Sequence, residues 1–200
     1  MGLVGRTAPA AVAAMAVVAG ATAFGSAGLS PFVARSGEET GFQPHSSAQV
    51  YRTATGFLSG ERGSKTYAAD LRRLRHDGFA GAAREHMDPI DTSEQAGGLS
   101  YVVELHSHAA ALDDARAELA GARSSQGTTA VIHRFTVSGV PGARGFTVAI
   151  PGRPGMAANA FWTEGRCVLL LGDVRGTGDV RSPVVAGVHA VYARTHGRCP

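Results

Sequence analysis

MAANAFWTEGRCVLLLG, the run from Met156 to Gly172, decides the fold. It holds two strand-like segments, 156–163 and 166–172, parted by Glu164-Gly165, and a short glycine-bearing break between extended runs marks a β-hairpin. In the second segment Cys167, Leu169 and Leu171 alternate with Val168 and Leu170, so both faces are apolar. Strands of that kind sit inside a sheet with cover on each side. Phe161 and Trp162 fall on opposite faces of the first segment, which puts one in the core and leaves the other to line a surface groove. Aromatic anchors carry much of the energy of interfaces, so these two residues form the candidate partner surface.

Upstream, Gly145 to Ile150 and Val131 to Val137 read as strands joined through the turn Gly139-Val140-Pro141-Gly142. Ala109 to Ala122 carries Leu112, Ala115 and Leu119 on one helical face. Leu99 to Ser107 alternates as a strand, with Tyr101, Val103 and Leu105 facing one way and Val102, Glu104, His106 and His108 the other. Phe79 to Met87 is a shorter strand, and Ser64 caps a helix to about Asp77, with Tyr67, Leu71 and Leu74 as its apolar stripe and Gly78 as its stop. Downstream, a helix runs from Pro183 to Thr195 and buries Val184, Val188, Val191 and Tyr192. Hairpins with helices spaced between them indicate an α+β class, an antiparallel sheet covered by helices.

The chain has 200 residues, room for a single domain, and a formal charge of +3. That balance falls well short of the one-sided basic face of a dedicated nucleic-acid binder, so no nucleic-acid partner is expected. Apolar residues make up 44% of the chain, but 35 residues are Ala, so the larger side chains that build a core are fewer than the percentage suggests. Part of that alanine lies in a leader. Between Arg6 and Arg35 no residue carries a formal charge, and the run ends in small residues, Ala21-Thr22-Ala23, with a second candidate cleavage point at Ala27. Residues 1–34 therefore read as a secretory signal or as an uncleaved membrane anchor, with a soluble alanine-rich helix as the third reading. Residues 35–47 read as an exposed linker, and 48–200 as one extracytoplasmic domain.

Cys167 and Cys199 are the only cysteines. An even pair outside the cytoplasm reads as a disulfide, against the alternative of two buried free thiols. The leader has no cysteine to carry a lipid.

The chemistry of the known catalytic signatures is missing from the text of the chain. There is no G-x-S-x-G elbow, no G-x-x-x-x-G-K-[ST] phosphate loop, no G-x-G-x-x-G and no H-E-x-x-H. No cofactor is expected. His106 and His108 form an H-x-H pair that a strand would project in parallel, and Glu104 with His133 would complete a metal-dependent hydrolase site. The plainer reading is a polar strand end, and no metal is assigned. Asp88 with Asp91 and Asp113 with Asp114 read as turn formation and helix-dipole complementation rather than as an acid and base. Arg72, Arg73 and Arg75 read as a solvated helix face, with binding of anionic lipid as the alternative.

Gly139-Val140-Pro141-Gly142-Ala143, Ala158-Asn159-Ala160-Phe161, Glu164-Gly165-Arg166-Cys167 and Ala190-Val191-Tyr192-Ala193-Arg194 together resemble a group of secreted or membrane-tethered actinobacterial proteins of unknown function. Those are similar in layout to the PsbP-like α/β/α sandwich, which includes mycobacterial LpqN-type lipoproteins. The resemblance implies a non-enzymatic binding or accessory domain at the cell envelope. Its partner would be an envelope protein or a small ligand, with the membrane itself a contact if the leader stays attached. The candidate contacts are the aromatics and the Pro/Gly-rich loop from Gly139 to Gly155.

Overall fold

The computed structural model describes residues 28–125, 131–150 and 155–199. Most of the leader, including both candidate cleavage points, lies outside the described residues. Among the described residues no helix is long and apolar enough to cross a membrane.

The described chain is α+β, an open antiparallel sheet with helices on both faces. Its strands are β1 (Phe42–Pro44), β2 (Gln49–Tyr51), β3 (Gly81–Pro89), β4 (Ala96–Glu104), β5 (Ile132–Thr136), β6 (Arg144–Ala149), β7 (Met156–Glu164) and β8 (Cys167–Arg175). The helices are α1 (Ala54–Phe57), α2 (Tyr67–His76), α3 (His108–Ser125) and α4 (Arg181–Thr195). In space the strands run β1-β3-β4-β8-β7-β6-β5, with β2 beside β1 on the outer edge of β3.

The hairpin that opened the reading is β7–β8, closed by Gly165 and Arg166, with Glu164 opposite Cys167. Gly165 takes φ 52°, a value that favours glycine because a Cβ is crowded there. As its doubly apolar pattern requires, β8 is central, between β4 and β7. Val168, Leu170 and Val174 join Tyr101, Val103, Phe146 and Phe161 in a core on one face, under α1, α2 and α3. Leu169 and Leu171 join Val102, Ala158, Trp162, Val184 and Val188 on the other, under α4. At about 25 cal/mol per Å² of apolar surface, two such layers are the main stabilising term.

Two expectations change here. Phe161 and Trp162 do lie on opposite faces, but both are buried, at 1% and 2% exposure, so neither lines a surface groove. The reason is that both faces of the sheet are covered. Residues 35–47 are not a free linker: Phe42 is fully buried and β1 pairs with β3. Just before them Leu29, Phe32, Val33 and Ala34 pack in the core beneath α4, although they fall in the stretch read as leader. Arg194 of α4 fastens this strap. Its guanidinium donates to both carboxylate oxygens of Glu38 at 2.6 and 2.7 Å and to the Val33 carbonyl at 3.0 Å, a forked pairing that fixes direction as well as distance. The packed body thus includes Leu29 and the strap that follows it.

Candidate functional site

The cysteines come first, because they are the one candidate pair that the fold brings into bonding contact. Cys167 opens β8 on the α4 face, and Cys199 lies just past the end of α4. Their Cα atoms are 6.1 Å apart and the two are joined in a disulfide.

The histidine constellation is not assembled. Strand β4 stops at Glu104 and α3 starts at His108, so His106 and His108 occupy a junction rather than one strand face. The ring Nδ1 of His106 donates to the Asp77 carbonyl, and that of His108 donates to the Gly165 carbonyl, each at 2.5 Å. His106 also packs on Gly78, where an added Cβ would meet it at 2.8 Å. His133 is on β5, four strands from β4, roughly 19 Å away at the usual strand spacing. Glu104 is buried and taken by Arg166 of the hairpin turn, whose Nε donates to it at 2.8 Å.

Nor do the arginines of α2 form a free basic face. Arg72 and Arg75 are exposed, but Arg73 turns inward to Asp114 at 3.1 Å, to Asp70 at 3.5 Å and, closest, to Glu118. Asp113 and Asp114 also part company. Asp113 is exposed and paired with Arg116 at 2.8 Å, whereas Asp114 is 3% exposed and faces α2, well beyond the first turn of its own helix. Burial raises the Asp114 carboxyl to about 6 and that of Glu118 to about 8, with Arg73 opposing the rise. Asp91 does form a turn, accepting from the Ser93 amide at 2.9 Å.

One concave feature among the described residues was not found from sequence. It is a groove of about 530 Å³ between the C-terminal half of α3 and the β5–β6 hairpin. Its origin is architectural: α3 packs chiefly over β7 and β8, so the helix leaves the outer hairpin partly open on that face. Leu119 and Ala120 supply apolar lining, Arg116, Arg134, Arg144 and Thr136 the polar part, and Phe135 and Gly145 border it through their backbone, the Phe135 ring lying on the α4 face. The strand register sets Thr136 directly opposite Arg144 and Arg134 opposite Phe146. Arg134 and Arg144 are therefore diagonal neighbours on one face, roughly 7 to 8 Å apart at Cβ. Arg116 is paired with Asp113, while among the described residues Arg134 and Arg144 have no carboxylate partner.

The signal for this site was in the text. Alternation placed Arg134 on one face of β5, and folding 131–150 about its Gly-Pro turn would have brought Arg144 beside it. Of the loop from Gly139 to Gly155, Val140 and Ala143 are buried, 144–149 is strand β6, and residues 151–154 lie outside the described residues.

No family model matches the chain, and no curated protein matches it. Among solved structures, the extracellular domain of PknH from Mycobacterium tuberculosis is similar at a TM-score of 0.53 and 11% identity, over 87% of this chain and 100% of that one. At that identity the likeness is one of fold.

Proposed function

We propose that this protein is an extracytoplasmic, non-catalytic binding or accessory domain at the cell envelope, and that the groove between α3 and β5–β6 is where it engages its ligand. The observation that carries the reading is the groove itself: concave, apolar in part, and holding two arginines that have no carboxylate partner among the described residues. The Cys167–Cys199 bond fits an oxidising compartment. A fold shared with a domain described as extracellular points the same way, and helices on both sheet faces agree with the PsbP-like sandwich layout. Both candidate cleavage points precede Leu29, so removal of a signal at either would leave the strap and its Arg194 clamp whole.

Compartment is tested with a C-terminal tag on the full chain in intact cells. External protease should remove the tag while a cytoplasmic control survives, and Cys167 and Cys199 should resist alkylation until reductant is added. A protected tag with freely alkylated thiols overturns the extracytoplasmic reading.

A further inference from the structure

The geometry points to a ligand class for the groove: a single amphipathic anion, one phosphate or carboxylate head on an apolar chain. This rests on the groove being the binding site.

The charge argument begins with what is spent. Arg116 is partnered by Asp113, so among the described residues the uncommitted positive charge in the groove belongs to Arg134 and Arg144. These are diagonal neighbours on adjacent strands, close enough for both guanidinium forks to converge on one anionic head. Both stem from a paired β-hairpin rather than from a loop, so their Cα positions are held by the ladder. Thr136, opposite Arg144, adds a hydroxyl beside them.

The second half of the argument is the lining. Leu119 and Ala120 give the head-group pair an apolar neighbour, which a free inorganic anion would leave unused and an alkyl chain would bury. A volume of about 530 Å³ suits one small amphiphile and not a folded partner. Uncommitted arginine charge beside apolar lining disfavours a neutral ligand, and two unpartnered arginines among the described residues fit one anionic head better than a polyanion.

The test is calorimetric titration of the full chain with dodecyl phosphate below its micelle concentration, set against inorganic phosphate and dodecanol. Dodecyl phosphate should bind one to one and at least tenfold more tightly than either comparator. Arg134→Gln with Arg144→Gln should weaken it at least tenfold, whereas Arg72→Gln with Arg75→Gln, on the other basic patch, should leave it within twofold. Equal affinity for inorganic phosphate or for dodecanol overturns the ligand class while leaving the groove as a site. Binding that is tight but indifferent to the Arg134 and Arg144 changes overturns the groove as well. Binding to anionic vesicles alone, with none to monomeric dodecyl phosphate, overturns the class in favour of a membrane surface.

Discussion

On the face under α2 and α3, Asp70, Asp114 and Glu118 converge on Arg73, which reaches all three. On the opposite face, under the strap and α4, Glu39 is 1% exposed and neither of its carboxylate oxygens has a hydrogen-bond partner. The charges that act on it are those of Asp173, also 1% exposed, and of Arg175, which donates to Asp173 Oδ2 at 2.8 Å. Burial, and secondarily the neighbouring Asp173 charge, push the Glu39 carboxyl well above its usual range. Burial also lifts Asp173 to about 6, with Arg175 working against the rise. One face thus gathers its acids around a cation, and the other leaves a carboxyl to survive by keeping its proton. Desolvation of a carboxylate costs several kcal/mol, and a protein meets that either with a cation or with a proton.

The largest expected effect comes from removing the cation. Arg73→Met strands the cluster and should destabilise the fold by about 3–5 kcal/mol at pH 8, measured by urea unfolding. The loss should shrink at pH 5, where Asp114 and Glu118 are protonated; an equal loss at both values would break the account. Next is the covalent tie on the strap face. Reducing Cys167–Cys199, whose partners are 32 residues apart, should cost about 3–4 kcal/mol on the chain-entropy model, read as a fall in the urea midpoint.

A smaller effect sharpens the contrast. A carboxyl whose folded pKa lies above its unfolded value holds its proton more tightly when folded, so stability is full at low pH and is lost as pH climbs to the folded value. With Asp114 and Asp173 at about 6 and Glu118 at about 8, folding stability should fall between roughly pH 4 and pH 8. Glu39→Gln mimics the protonated acid, so it should gain about 1–3 kcal/mol at pH 8 and little at pH 5. A loss at pH 8 would mean that Glu39 is ionised and paired. The smallest effect belongs to the groove. Arg134→Gln with Arg144→Gln should change stability by no more than about 0.5 kcal/mol, since neither side chain is buried or paired, which separates their role from that of Arg73.

The long elements were legible from pattern. Strands β7 and β8 come from two strand-like runs parted by a glycine break, the second apolar on both faces, and α3 and α4 from apolar spacing. Strands β1 and β2 escaped because each is three residues long, too short to show a period, and helix α1 because it is a single turn. The strap escaped for a related reason: Leu29, Phe32 and Phe42 look isolated among small and polar residues, and only docking against α4 and β3 gives them a buried surface. Asp114 read as a helix-dipole acid because its partner, Arg73, lies 41 positions earlier in the chain.

What the sequence determined by itself was the class of the fold, the central place of β8 and the candidacy of the two cysteines. Each follows from local periodicity or composition, which a strand or a compartment imposes residue by residue. Tertiary structure decided that the aromatics are core, that the histidines stay apart, that Arg73 is committed inward, and that Arg134 and Arg144 line one groove with no carboxylate partner among the described residues. These depend on which elements become neighbours across the sheet. Burial and charge pairing are properties of contacts between distant segments, and no local pattern records them.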